Sequence, residues 1–314
     1  MADVDDRGQL LLVGALTLAV MLVALAVLLN AAIYTGNVAT RDAGTGAGEA
    51  IEYEGEARTM AQASIDDVDG DTYAAVEANF TDAVQGWSEL THTHSGASLA
   101  ASNLTTVNTT YGTRVAQHTD RNFTDDNGNS TWTVAEDSHV RAFRMNVTRD
   151  SLASGADDAF YVNFDNGSGD WNVFVYEDGG NVTVSLENPD GETVGDDCTV
   201  DPGADNRALV DFTAGTVGGQ ACPKMDFVGN LSDEYTVRYV DARNGDGDER
   251  INGTYSLVVG ESLDDLETGA DENGDAPTVT RVLYSAELQV TYRSANLYYQ
   301  SEIRVAPGEA GDDD

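Results

Sequence analysis

The stretch TVTRVLYSAELQVTYRSANLYYQSEIRV, residues 278–305, places Val282, Tyr284, Ala286, Leu288, Val290 and Tyr292 at every second position. A period of two is that of a strand with one buried face. The polar RSAN interrupts it, and the chain returns through Leu297, Tyr299, Ile303 and Val305, which predicts a long antiparallel hairpin. The same alternation recurs upstream at Phe143, Met145, Val147 and at Phe160, Val162, Phe164. Trp171, Val173 and Val175 precede EDGGN, and Val182, Val184 and Leu186 follow it. The two glycines there can supply the positive φ angles of a tight hairpin turn. Tyr235, Val237, Tyr239 and Tyr255, Leu257, Val259 form a further pair around DARNGDGDERING. About ten short strands with hairpin spacing predict an antiparallel region, either a sandwich or a sheet packed on a helix.

Ahead of this region the period is helical. Ala47, Ala50, Tyr53, Ala57, Met60, Ala61, Ser64, Ile65 and Val68 recur at threes and fours. A stronger stripe follows at Tyr73, Val76, Phe80, Val84, Trp87 and Leu90, with Asp71 or Thr72 placed to cap its first turn. Gly44, Gly46 and Gly48 precede the first stripe. Each costs roughly 1 kcal/mol against Ala in a helix, so a kink or break is expected there.

The chain carries 55 acidic and 16 basic residues, a net charge of −39, and Lys224 is its only lysine. In ordinary saline such a surface repels itself. At molar salt the screening length falls to about 3 Å and the repulsion nearly vanishes. Strand-like runs rich in Tyr, Val, Phe and Leu exclude a disordered acidic chain. The composition resembles that of haloarchaeal proteins, and it excludes nucleic acid as an expected partner.

Residues 10–33 are apolar except for Gly14, Thr17 and Asn30. A helix of this length exceeds a hydrocarbon core of roughly 30 Å, so a retained transmembrane helix is expected over 9–34. Arg7 and Arg41 flank it almost evenly and do not orient it. Asn-x-Ser/Thr acceptor patterns do: they lie at Asn79, Asn103, Asn108, Asn122, Asn129, Asn146, Asn166, Asn181, Asn230 and Asn252. Chance supplies roughly three. The excess predicts a cytoplasmic amino terminus and an extracellular carboxy-terminal region at the cell membrane.

The junction DRGQLLL resembles the processing site of archaeal type IV pilin-like precursors, the class III signal peptides. The resemblance implies cleavage between Gly8 and Gln9, behind Arg7, by a prepilin peptidase. It also implies association with other pilin-like subunits through the retained helix. Many pilins carry glutamate at the fifth mature position, where this chain has Val13, so a minor pilin-like or pseudopilin-like component is the closer match. The alternative is an unprocessed single-span ectodomain for ligand binding or envelope scaffolding.

Cys198 and Cys222 are the only cysteines. A disulfide between them would close a loop of about 25 residues, worth roughly 3 kcal/mol. Pairing fits an oxidising exterior, and two free thiols are the alternative. Asn244, Asp246 and Asp248 alternate like calcium-loop ligands, but Glu249 and Tyr255 stand where that loop needs Gly and Glu. ADENGDAP reads likewise as an acidic turn. His92 and His94, with His118 or His139, have no metal-site spacing and are expected as exposed histidines. The tyrosines of SANLYYQSE read as sheet cover. No nucleophile elbow or phosphate loop occurs, so no enzyme, metal or cofactor is expected.

The expectation is an α+β chain. A cytoplasmic leader (1–8) precedes the transmembrane helix (9–34) in the lipid bilayer, then a membrane-proximal helical region (35–103). A mainly antiparallel, extracellular β domain (104–306) and a disordered acidic tail (307–314) follow. The expected role is that of a glycosylated, pilin-like structural or adhesion protein of an extreme halophile.

Overall fold

A computed structural model of the chain describes residues 46–97, 99–230, 234–241, 251–272 and 277–309. Two helices come first, α1 over 46–67 and α2 over Tyr73–Ala97. Strands β1 (Ala101–Asn122), β2 (Trp132–Ser138), β3 (Val140–Thr148), β4 (Phe160–Asp165) and β5 (Asp170–Asp178) follow. Then come β6 (Asn181–Glu187), β7 (Cys198–Val200), β8 (Arg207–Asp211), β9 (Thr216–Val217) and β10 (Gln220–Ala221). The last are β11 (Tyr235–Val240), β12 (Asn252–Val259), β13 (Thr278–Arg293) and β14 (Tyr298–Val305).

The strands form two sheets. An eight-stranded sheet runs β10-β9-β8-β3-β12-β1-β13-β14, and a six-stranded sheet runs β2-β11-β4-β5-β6-β7. Every strand pairing in both is antiparallel. The hairpin of 278–305 is β13 and β14, closed by a hydrogen bond of 2.9 Å from the Ser294 N–H to the Leu297 carbonyl. Gly179 and Gly180, at φ 59° and 90°, make the β5–β6 turn. Two successive positive φ angles suit the twist of the flanking strands and exclude most side chains.

Two cores result. Phe143, Phe164, Val184, Tyr239 and Leu257 pack between the sheets. Leu104, Leu288, Val290, Ile303 and Val305 pack with the two helices instead. Each such side chain contributes roughly 1.5–3 kcal/mol over its exposed state. β1 and β13 serve both cores, through Val115 and Val279 at one end and Leu104 and Leu288 at the other. The long shared strands therefore join helices and sandwich into one unit.

The helices are shaped for a sheet. α1 buries Ala50, Tyr53, Ala57, Ala61 and Ile65, and its small alanines allow close approach. The Tyr292 hydroxyl donates to Glu49 at 2.7 Å, and the Tyr299 and Ser301 hydroxyls both donate to Glu54. At its far end Asp66 pairs at 3.0 Å with Arg141, which is fully buried. Burial pulls the Arg141 pKa down and the Asp66 charge opposes it. α2 buries Val76, Phe80 and Val84, and Thr72 caps it by accepting from the Ala75 N–H at 3.2 Å. Leu90, placed on the apolar face by spacing, is 58% exposed, because Ser88 and His92 on another side of the helix are the residues that meet β1 there.

These findings correct the expected α+β chain led by a transmembrane helix, and with it the membrane and pilin-like character. Antiparallel sheet dominates, with 47% of the described residues in strands. No helix among the described residues is long and apolar enough to cross a membrane. α1 and α2 each bury one stripe and expose acidic residues beside it, Glu52 and Glu56 on α1 and Asp82 and Glu89 on α2, so each has one apolar face rather than an apolar circumference. The segment 9–34 and the leader residues Arg7, Gly8 and Gln9 lie outside the described residues, as do Gly44 and the turn Asn244–Asp248. Gly46 and Gly48 sit within α1 rather than at a break. A Cβ on Gly46 would stand 3.7 Å from Leu297, so that position packs on the β13–β14 turn. Glu309, expected in the solvated tail, accepts from the Tyr284 hydroxyl at 2.7 Å and pairs with Arg304.

Candidate functional site

The junction between the sheets is made where β2 of the six-stranded sheet passes into β3 of the eight-stranded one, and His139 is the single residue between them. Glu234 directly precedes β11, the neighbour of β2. Glu261 follows the end of β12, the neighbour of β3. The pairing of those strands brings the three side chains together. Their ligand-type atoms all lie within 4.8 Å of one another, and His139 Nδ1 is 3.8 Å from Glu234 Oε1.

The backbone under this group is fixed. The Gly260 N–H donates to the His139 carbonyl at 2.9 Å. The Glu261 carbonyl accepts from the Thr113 hydroxyl at 2.8 Å. Tyr284 lies beneath: a Cβ on Gly260 would meet both its ring and the His139 Cβ at 3.4 Å. Burial, followed by the hydrogen bond to Glu309, raises the Tyr284 pKa and keeps the phenol protonated. Burial works against the Glu309 carboxylate, but hydrogen bonds from Arg304 and Tyr284 outweigh it and hold its pKa below the ordinary range. The three side chains above remain solvent-accessible, with His139 and Glu261 half-buried and Glu234 exposed. An imidazole and two carboxylates so arranged can coordinate a cation or exchange a proton.

The other sequence candidates are dispersed. Cys198 and Cys222 form a disulfide, with an S–S distance of 1.97 Å and Cα atoms 5.8 Å apart. Cys198 begins β7 and Cys222 directly follows β10, so the bond joins the edge strands of the two sheets. Beside it Lys224 Nζ contacts Asp197 at 2.9 Å, and Asp197 accepts from the Tyr176 hydroxyl at 2.9 Å. Burial and then that hydrogen bond push the Tyr176 pKa up to about 12. The lone lysine is thus held in an ion pair at the sheet edges. His92 and His94 are exposed on α2, with His92 Nδ1 3.1 Å from the Ser102 carbonyl, and His118 is exposed on β1. Neither they nor His118 join His139.

Asn79, Asn103, Asn108, Asn122 and Asn129 are exposed, and Asn146, Asn166, Asn181 and Asn252 are half-buried. Asn230 closes a 3₁₀ turn over Pro223–Asn230. The Asn79 and Asn129 amide nitrogens are engaged, with the Asp69 carbonyl at 3.1 Å and the Asp125 carboxylate at 2.6 Å.

Spacing along the chain does not mark the His139 group, because its partners arrive from segments far downstream and nothing beside His139 in sequence points to it. The only local signal is that its histidine falls in the short gap between two alternating runs.

An antiparallel β sandwich carrying a helical pair, a disulfide across its edges and a histidine–carboxylate group at its sheet junction defines the class. Residues 4–151 match a family of unknown function, DUF7261, over just under half of the 314 residues. That span includes both helices and the strands through β3. No curated protein and no solved structure matches.

Proposed function

We propose that the chain is an exported structural or adhesive module displayed at the cell surface of an extreme halophile. The observation that carries this reading is the disulfide between Cys198 and Cys222. A bond of this kind forms and persists in oxidising compartments and outside the cell. It also fits the location, since it secures the short edge strands β7 and β10, which would otherwise fray or pair with other chains. The asparagine acceptors support the same reading, because none of the nine whose side chains are described is buried. The acidic surface suits brine and favours neither nucleic acid nor an anionic lipid surface as partner. Neither a membrane span nor pilin assembly enters this reading.

A second reading, capture of a small ligand, is favoured by an open cleft of about 500 Å³ between α2 and the ends of β1, β13 and β14. Ser88, His92, Asn103, Arg293 and Tyr298 line it, and Tyr298 is 64% exposed.

Deleting the gene and restoring the full chain tests the proposal. Attachment of cells to a surface is expected to fall on deletion and to return with the full chain. Glycopeptides from the restored protein are expected to carry sugar at Asn108 and Asn122, exposed residues of β1. Unchanged attachment together with bare acceptors at every position would contradict it.

A further inference from the structure

We propose that His139, Glu234 and Glu261 bind one divalent first-row transition-metal ion, of which Zn²⁺ is the representative, as a clip across the sheet junction. Nitrogen and oxygen donors suit this class: zinc takes His nitrogen and Glu oxygen at roughly 2.0–2.2 Å. Ligands around one ion stand roughly 3–3.5 Å apart at those bond lengths. The three donors already lie within 4.8 Å of one another, so rotation of the two glutamate side chains closes the remaining gap. Glu234 is exposed and Glu261 half-buried, so both carboxylates are open to solvent and to an ion.

The chemistry of the set distinguishes it from the acidic surface at large. Oxygen-only groups hold magnesium and calcium, and this chain has 55 acidic residues to attract them diffusely. An imidazole shifts preference toward zinc, copper, nickel and iron. Among the described residues His139 is the histidine whose ring nitrogen lies within 4.8 Å of two carboxylates. Two carboxylates and a neutral imidazole also balance a divalent charge. The protein supplies the preorganisation, because the Gly260-to-His139 and Thr113-to-Glu261 hydrogen bonds fix two of the three ligand backbones. Glu309, Arg304 and Tyr284 satisfy one another on the adjoining side and stay out of the ligand set.

A structural consequence follows. His139 stands on the link between sheets, Glu234 leads into the six-stranded sheet and Glu261 leaves the eight-stranded one. An ion held by all three ties the sheets together at that junction, as the disulfide ties their edge strands. Binding to the folded state alone stabilises it by mass action.

Titration of ZnCl₂ into the full chain in molar KCl, followed by calorimetry, tests the site. One saturable site per chain is expected, with a rise in the unfolding midpoint on adding Zn²⁺. Loss of an outer-shell partner alone weakens a metal site by about 10- to 100-fold, so His139→Ala and Glu261→Gln should each weaken binding by at least about tenfold. His118→Ala, on exposed β1 surface away from the group, should bind as the parent does. Two altered ligands guard against misfolding, since each variant's own unfolding transition without metal is recorded. Equal Zn²⁺ binding by the parent and both ligand variants, or binding that never saturates at one ion, would overturn the proposal.

Discussion

Replacing Tyr239 by Ala is expected to lower the unfolding free energy by about 4 kcal/mol, the range for a buried aromatic truncated in a packed core. Tyr239 is fully buried in β11, and its ring is the hub of the aromatic cluster between the sheets. It stacks on Phe123 at 5.5 Å and meets Trp132, Phe160 and Tyr255 edge-on at 5.4, 5.4 and 5.2 Å. Tyr255 lies in β12 of the opposite sheet, so truncation loses contacts to both layers at once. Its hydroxyl behaves differently. It is buried with no hydrogen-bond partner among the described residues, and burial raises its pKa well above the ordinary value. Desolvating an unpaired hydroxyl costs about 1–3 kcal/mol, so Tyr239→Phe should leave stability unchanged or raise it by about 1 kcal/mol. Urea unfolding of the two variants beside the parent in molar KCl checks both. A Phe variant less stable than the parent by more than about 1 kcal/mol would mean that the hydroxyl has a partner.

The second large effect belongs to the disulfide. Cys198 and Cys222 are 24 residues apart, and closing such a loop stabilises by about 3 kcal/mol in the chain-entropy account. The double replacement Cys198→Ser, Cys222→Ser should lose about that amount. A reductant should cost the parent the same and the double variant nothing. The local consequence is as specific. β9 and β10 are two residues each, and β8 pairs with β9 through only two residue pairs, so the bond and the Lys224–Asp197 pair reinforce a short ladder. Amide exchange across 216–227 should therefore quicken on reduction before exchange in β1 or β13 changes. A double variant within about 1 kcal/mol of the parent would show that the edge is held by other contacts.

What was legible in the sequence was local. The alternation at Val282–Tyr292 marks β13, that at Val182–Leu186 marks β6, and the glycines of EDGGN mark the turn between β5 and β6. The alternation at Val282 is itself imperfect, because Val282, Leu283 and Tyr284 are all buried where the β1 register shifts between Thr110 and Tyr111. β1 was the least legible element. It is the longest strand and lies between β12 and β13, yet Asn, Thr and Gly interrupt its apolar positions. Its two register shifts against β13 break the period further, and its place is dictated by partners some 130–190 residues away. The order of strands follows from such distant pairings, and no nearby residue encodes them. The same holds for His139, whose carboxylates are brought to it by β11 and β12. The disulfide could be named as a pair because there was only one pair to make, but its task of joining two sheet edges depends on the order of the strands.

Display outside the cell is the claim on which the functional account rests, and a tag appended after Asp314 tests it most directly. Intact cells kept in isotonic brine are expected to bind an impermeant antibody to that tag as fully as lysed cells do. Binding that appears only after lysis would place this module inside the cell and contradict the account.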